Sequence, residues 1–257
     1  MSDRARPLRD LLFPPRCSIC GTLIRKKTVS RVMCTACYPV YQAEIDRGCA
    51  VCGKPYSHCI CRPEGFIPDD LISALPYNKL DGVCRKLILS CKNRKNTDGI
   101  NELSRATVSA AEKRGILGKE LVLTYVPRAP EKEVHTGVDP AAELAKAIAK
   151  RLKRPLHHLL GHRPLRNEQK GLPYPMRGPI AEETYFRLPG VKATVTGKTV
   201  LLIDDVVTSG ATAGACAKLL KEAGADQVIC LAAAKSIDSY REFMRYEAPP
   251  SRKPSQP

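Results

Sequence analysis

The 257-residue sequence contains no tryptophan, four phenylalanines and nine tyrosines, so aromatic side chains are scarce. Proteins that bind single strands of nucleic acid by stacking bases need an aromatic platform, and none is obvious here, although Tyr38, Tyr41 and Tyr56 lie in a basic region. Long apolar runs are also missing. The longest ones, such as residues 228–234, fall far short of the roughly 20 residues of a membrane-spanning helix. No membrane span is therefore predicted.

Three further signatures are absent. The sequence has neither the Gly-Lys-Ser/Thr of a Walker A loop nor the Gly-x-Gly-x-x-Gly of a dinucleotide-binding fold. A secretory signal is not predicted either, because the apolar residues 11–13 are followed at once by Pro14 and Pro15. The expected location is the cytoplasm, where thiols stay reduced.

Acidic residues are outnumbered, and the formal net charge is +16. The excess is concentrated in residues 1–65 and in residues 146–177, the latter with nine basic residues and one acidic residue. A surface of this kind suits a phosphate-rich partner, either a nucleic acid or a polyphosphorylated small molecule. The alternative is a solvated basic face that only keeps the protein in solution.

Cysteine is abundant, with twelve residues, and eight of them lie between positions 17 and 61. In a reducing compartment such crowding favours metal binding over disulfides. Two Cys-x-x-Cys-Gly turns and two further cysteine pairs provide ligands for two tetrahedral sites, which are typical of structural zinc. The predicted zinc ligands are Cys17, Cys20, Cys34, Cys37, Cys49, Cys52, Cys59 and Cys61.

The spacing leaves some of the zinc chemistry open. It does not show whether the cysteine pairs combine consecutively or cross over, and His58 is an alternative ligand to Cys59 or Cys61. A disulfide set and an iron–sulfur cluster are the other interpretations of these eight residues. The remaining cysteines lie in apolar stretches and are predicted to be core residues: Cys84, Cys91, Cys216 and Cys230.

The pattern after residue 65 is that of an α/β protein. Short apolar segments predict buried parallel strands at residues 120–126, 155–160, 198–204 and 226–234. Amphipathic segments predict helices at residues 82–91, 101–114, 140–153 and 212–224. We therefore expect a Cys-rich module at 10–65, a parallel-sheet domain at 66–240 and a disordered Pro- and Ser-rich tail at 241–257.

The most specific stretch runs from Val200 to Thr212, where a strand, two acids, a hydroxyl- and glycine-containing loop and a helix follow one another. Backbone N–H groups and hydroxyls at a helix N-terminus suit a phosphate, while the two carboxylates suit sugar hydroxyls or a cation. A ribose 5-phosphate satisfies both requirements, and a generic strand-to-helix turn is the alternative. The predicted ligand-binding residues are Asp204, Asp205, Thr208, Ser209, Gly210, Ala211 and Thr212.

This stretch resembles the phosphoribosyl pyrophosphate (PRPP) motif of type I phosphoribosyltransferases, and a double zinc ribbon ahead of such a domain resembles the ComF family. The resemblance implies a type I phosphoribosyltransferase-like fold that binds PRPP with Mg²⁺ and transfers the phosphoribosyl group to an unknown acceptor. It also implies that Lys92 is the family's lysine after the first body helix. For ComF proteins it implies a part in DNA uptake, with single-stranded DNA and a helicase-like competence protein as partners.

One family motif differs here. The Arg-Gly-Phe-Asn-Gln segment of the family corresponds to residues 135–139, and its first arginine is replaced by His135. Arg128 and Lys132 are the candidates for the missing charge on pyrophosphate, and Arg128 is grouped with Lys92, Asp204 and Asp205 as a predicted catalytic residue. An alternative to a phosphoribosyltransferase is a non-catalytic DNA-uptake factor. For the basic residues 146–177, an alternative to DNA binding is that Arg166, Lys170 and Arg177 cap the ligand cleft and attract PRPP.

Overall fold

A computed structural model describes residues 14–24, 30–63, 65–78, 80–92, 96–118, 120–131, 134, 137–164 and 184–236. Several predictions lie outside these residues: Lys132, His135, Arg166, Lys170, Arg177 and the tail at 241–257. Within the described part, no helix has both the length and the apolar character needed to cross a membrane.

The chain alternates helices and strands after residue 65. The strands are β1 (Asp70–Tyr77), β2 (Leu121–Tyr125), β3 (Leu160–His162), β4 (Tyr185–Arg187), β5 (Thr199–Val207) and β6 (Gln227–Ser236). The helices are α1 (Cys37–Asp46), α2 (Val83–Lys92), α3 (Thr97–Arg114), α4 (Pro140–Leu152), α5 (Val191–Val195) and α6 (Ala211–Glu222), with a short 3-10 helix at Tyr56–His58.

Four strands form one parallel sheet in the order β1-β6-β5-β2, and β3 and β4 form a separate antiparallel pair. Side chains alternate along β5, so the two faces of the sheet carry different residues. Leu201 and Ile203 join the core beneath α2, α3 and α4, whereas Val200 and Leu202 join the core beneath α5 and α6. The predicted α/β class with a buried parallel sheet is confirmed.

Most of the predicted elements are present at nearly the predicted positions. The exception is the strand at 155–160, where the structure has only a single bridge between Leu156 and Leu123. The chain then turns away, and β3 pairs with β4 instead. Helix α3 begins earlier than predicted because Asn96 accepts a hydrogen bond from the Gly99 N–H (2.9 Å) and caps it.

The Cys-rich module shares its core with the sheet. Met33 and Tyr41 are fully buried in the same cluster as Ile72 of β1 and Leu87 of α2. The Glu44 carboxylate of α1 also accepts hydrogen bonds from the N–H groups of Val83 (2.7 Å) and Cys84 (2.9 Å). Because these are unpaired donors at the start of α2, the module caps a helix of the body.

Asn96 links the module to the other end of α2. Besides capping α3, its amide donates to the hydroxyls of Ser18 (3.0 Å) and Ser90 (2.8 Å).

We expect Asn96→Ala to lower the free energy of unfolding of the zinc-loaded protein by about 1–2 kcal/mol, the usual cost of losing a helix cap. Chemical denaturation measures this value. Asn101→Ala, at an exposed position of α3, is the control, and an equal effect of both variants would contradict the role given to Asn96.

Candidate PRPP-type site and cysteine clusters

A cleft of about 420 Å³ opens at the carboxyl ends of the parallel strands. Its walls come from the end of β5, the loop that leads into α6, the segment after β2 and the last residue of α2. Ligands of parallel α/β proteins bind at this edge of the sheet. Among the predicted site residues, the following line the cleft: Lys92, Arg128, Asp204, Asp205, Thr208, Ser209, Gly210 and Thr212.

The loop between β5 and α6 is shaped by Gly210, which has a φ of +77° and directly precedes the helix. This left-handed conformation favours glycine. A Cβ atom here would also lie 2.7 Å from Cδ2 of Phe66. The Ser209 hydroxyl accepts a hydrogen bond from the Ala211 N–H (3.4 Å) at the start of α6. The loop therefore brings backbone N–H groups and hydroxyls to a helix N-terminus, as a phosphate site requires.

The two acids at the end of β5 differ in their surroundings. Burial, followed by the charge of Asp205, raises the pKa of the Asp204 carboxyl well above its ordinary value. Asp205 forms an ion pair with Lys92, with 2.8 Å between Oδ2 and Nζ. Burial by itself would lower the pKa of Lys92, but the carboxylates of Asp205 and Asp204 raise it. The two acids and the lysine thus form one charged cluster in the wall of the cleft.

Arg128 lines the cleft from the segment after β2 and is fixed by the residues before α4. Its guanidinium donates to the Val138 carbonyl (2.7 Å), and its backbone N–H donates to the Asp139 carboxylate (3.2 Å). Asp139 also caps α4 by accepting from the Ala142 N–H (3.0 Å). Asp139 therefore ties the Arg128 loop to a helix terminus, which is a positioning role that the sequence analysis did not assign.

Three aromatic or imidazole side chains of the cleft were also missed: Tyr77, His162 and Tyr185. His162 and Tyr185 pack edge to face, with ring centroids 4.9 Å apart, across the β3–β4 pair. Burial raises the pKa of the Tyr185 hydroxyl, although a hydrogen bond with Thr212 acts in the opposite direction. No motif marks these residues, because they reach the cleft through the pairing of two short strands.

The eight cysteines form two clusters from consecutive pairs: Cys17, Cys20, Cys34 and Cys37, and then Cys49, Cys52, Cys59 and Cys61. In each cluster all four sulfurs lie within 4.8 Å of one another. A tetrahedral zinc with Zn–S bonds of about 2.3 Å requires sulfurs about 3.8 Å apart. The Cys20–Cys34 and Cys52–Cys59 sulfur distances are 3.7 and 3.5 Å, so both clusters fit the ion. His58 is not a member, and its Nδ1 lies 3.0 Å from the Ser57 hydroxyl.

The pKa values of the cysteines in the two clusters also favour a bound cation at the centre of each cluster. Hydrogen bonds from Thr22 lower the pKa of Cys20 to about 6. Burial and the neighbouring sulfurs raise the pKa of Cys37 and of Cys61. Four thiolates are therefore unfavourable in either cluster without a positive charge at its centre, and a zinc ion would supply that charge. The other four cysteines are buried core residues, as predicted.

A family model described as the phosphoribosyl transferase domain matches residues 140–244. The body has the type I phosphoribosyltransferase fold. The match begins at α4 and includes β5, the loop that contains Gly210, and α6. The matched residues therefore contain the acids and the loop of the cleft, while Lys92 and Arg128 lie before them.

Three solved structures are similar to parts of the chain. An allosteric regulatory enzyme of purine biosynthesis is 18% identical over 59% of this chain and 26% of its own, with a TM-score of 0.34. Phosphoribosylpyrophosphate synthetase from Mycobacterium smegmatis is 20% identical over 53% and 33%, with a TM-score of 0.32. Adenine phosphoribosyltransferase from Thermoanaerobacter pseudethanolicus is 18% identical over 55% and 82%, with a TM-score of 0.34. The chain thus spans about a quarter and a third of the first two, and no curated protein matches it.

The cysteine clusters generate a prediction about metal removal. We expect two equivalents of zinc per chain, and we expect exhaustive chelation to unfold residues 17–61, because metal binding supplies most of the folding free energy of so small a module. Elements β1 and α2, which share its core, should be destabilised with it. Elemental analysis and hydrogen exchange measure the two effects. Retention of both cysteine sites after complete metal removal would contradict the prediction.

The burial of Asp204 generates a prediction about pH. A carboxyl whose pKa is raised in the folded state stabilises the protein only at low pH, and this contribution is lost as the pH rises through the folded-state pKa. Asp204→Asn keeps an oxygen for the Asp205 N–H and removes the charge. We expect it to increase the free energy of unfolding at pH 8, because it removes a carboxylate charge that burial disfavours.

Chemical denaturation between pH 5 and 8.5 measures this effect, and the gain should shrink as the pH falls. Asp205→Asn is the control, because it removes the partner of Lys92 and should give no gain. A pH-independent loss of stability in Asp204→Asn would contradict the assignment.

Proposed function

We propose that the protein binds PRPP, or ribose 5-phosphate, in the cleft with Mg²⁺ and transfers the phosphoribosyl group to an acceptor. The observation that carries this proposal is the sequence of groups at the end of β5. Two carboxylates, one of them buried, are followed directly by a loop with a left-handed glycine and then by a helix N-terminus. A ribose phosphate matches both parts of the site, because its hydroxyls can donate to the carboxylates and its phosphate can occupy the loop and helix N-terminus.

The proposed ligand orientation follows from charge. The 5-phosphate occupies the loop of residues 208–212, where the N–H groups at the start of α6 and the dipole of that helix favour an anion. The ribose 2′ and 3′ hydroxyls donate to Asp204 and Asp205. Two carboxylates would repel a second phosphate. We therefore assign pyrophosphate to the part of the cleft that Arg128 lines.

Magnesium prefers oxygen ligands, and the cleft offers the carboxylates of Asp139, Asp204 and Asp205. When bound with PRPP, the ion would act as a Lewis acid that makes pyrophosphate a better leaving group. The chain's own residues position the sugar and neutralise charge: Asp204 and Asp205 hold the ribose, and Arg128 and Lys92 supply positive charge. The C1–O bond to pyrophosphate breaks, and a bond from C1 to an acceptor nitrogen forms as that nitrogen loses a proton.

The resemblance to the ComF family extends this proposal to DNA uptake. The two cysteine clusters ahead of a phosphoribosyl transferase domain support that assignment. The single-stranded DNA and helicase-like partners that the resemblance implies stay predictions, because neither the cleft nor the comparisons bear on them. The identity of the acceptor is a matter for the experiment below.

Calorimetric titration of PRPP with Mg²⁺ into the zinc-loaded protein tests the proposed function. We expect 1:1 binding for the wild type and a loss of at least about 100-fold in affinity for the double variant Asp204→Asn/Asp205→Asn, because two charged hydrogen-bond acceptors are removed. Asp226→Asn, an exposed acid outside the cleft, is the control.

No binding by the folded wild type would overturn the proposal and would favour the non-catalytic alternative. If binding is found, pyrophosphate release with candidate bases and amines identifies the acceptor. Binding without release from any of them would restrict the proposal to a ligand-binding role.

A further inference from the structure

The segment that leaves the second cysteine cluster packs directly against the loop before α6. We name residues 62, 63 and 65–67 the connector. An ideal Cβ placed on Gly210 would lie 2.7 Å from Cδ2 of Phe66 and 3.3 Å from Cγ of Pro63. One turn later, a Cβ on Gly214 would lie 3.3 Å from Cδ1 of Ile67. The connector therefore covers the backbone of the first turn of α6, on which the proposed phosphate site is built.

The connector is held at its start by the second cluster. Cys61 immediately precedes it, and the Phe66 N–H donates to the Pro63 carbonyl (3.2 Å), which folds the segment into a turn. Lys235 of β6 lies beneath the cluster, where its ammonium donates to Cys59 Sγ (2.6 Å) and to the Cys61 carbonyl (3.3 Å). Lys235 is only 2% exposed, and a buried ammonium is stable only when its charge is compensated. The second cluster is thus joined to the sheet on one side and to the connector on the other.

The first cluster is linked to α2, the helix whose last residue, Lys92, lines the cleft. Cys37 begins α1, whose Glu44 caps the start of α2. Ser18, inside the first Cys-x-x-Cys turn, accepts the amide of Asn96 just beyond the end of α2. Helix α2 ends at Lys92, the partner of Asp205. The first cluster is therefore linked to α2, which ends at Lys92, and the second cluster is linked to the loop before α6.

We propose that the two cysteine clusters are positioning elements of the cleft with separate tasks. The second cluster, acting through Phe66 and Pro63, holds the 208–212 loop, and the first cluster, acting through Glu44 and Asn96, holds α2 and with it Lys92. The positioning itself does not depend on which ligand binds. Its consequence for ligand affinity rests on the proposed function above.

Thermodynamic linkage gives the proposal a second observable. If metal in the second cluster orders the loop and an ordered loop binds phosphate better, then a bound phosphate ligand must raise the metal affinity of that cluster by the same factor. A structural zinc whose only task is to fold its own module would show no such coupling. The equilibrium affinity of each cluster for zinc, measured by competition with a chelator, is therefore informative.

The first experiment uses hydrogen exchange on the zinc-loaded full chain without ligand. We expect Phe66→Ala to accelerate amide exchange in residues 208–213 by about tenfold, because the loop loses a packed ring, while Phe66→Leu restores most of the protection. Exchange in α4 and the denaturation midpoint should change little. Val40→Ala, on an exposed position of α1, is the matched control. Unchanged exchange in Phe66→Ala, or equal acceleration throughout the chain, would overturn the proposal.

The second experiment separates the clusters. Cys61→Ser should retain one zinc and accelerate exchange mainly in residues 208–213, whereas Cys20→Ser should retain one zinc and accelerate exchange mainly in residues 83–92. Similar patterns in the two variants would overturn the division of tasks. If either variant unfolds altogether, the comparison of Phe66→Ala with Phe66→Leu still tests whether the connector holds the 208–212 loop.

The third experiment measures the equilibrium zinc affinity of each cluster in the wild type by competition with a chelator, with and without ribose 5-phosphate. We expect the ligand to raise the zinc affinity of the second cluster by about the factor by which Cys61→Ser weakens ligand binding, and to leave the first cluster unaffected. Failure of ribose 5-phosphate to bind would contradict the proposed function alone, because the exchange experiments use no ligand. Binding without any effect on the equilibrium zinc affinity of the second cluster would contradict the coupling alone.

Discussion

The ion pair between Lys92 and Asp205 is the contact on which the arrangement of the cleft depends. Two neighbouring carboxylates at the end of a buried strand repel each other and lose hydration, so the site needs a nearby cation in the absence of ligand. Lys92 meets this need only if the end of α2 is held over the end of β5. The hydrogen bonds of Glu44 and Asn96 at the two ends of α2 provide this constraint, and both involve the cysteine-rich module.

A ligand with hydroxyl groups and a cation of its own would change this balance of charge. Ribose hydroxyls and a divalent ion can replace the ammonium as partners of Asp205, and Lys92 would then be available to a negatively charged leaving group. The lysine therefore has two successive uses in the proposed reaction, first as a counter-ion for the acids and then as a source of positive charge for pyrophosphate. A flexible side chain at the last residue of a fixed helix suits both uses.

The elements that could be predicted from the sequence are those whose signal is local. The strand, acids, loop and helix of residues 199–222 follow one another without interruption, and each Cys-x-x-Cys turn brings its own two sulfurs together. Strand β1 was missed because Pro76 interrupts its pattern, although a proline is tolerated on an edge strand of this sheet. Glu44, Phe66 and Lys235 were missed for another reason. Their partners are distant in sequence, and no spacing rule connects Lys235 with Cys59.

The shared core of the module and the sheet makes the two parts inseparable. Met33 and Tyr41 belong to the same buried cluster as β1 and α2, so a chain that started after residue 65 would leave the inner faces of those elements open to water. A shuffling of gene segments that transferred the residues after position 65 alone would thus deliver an aggregation-prone protein. The boundary visible in the amino-acid composition is not a boundary at which this protein can be divided, because the cysteine-rich module completes the core of the sheet domain.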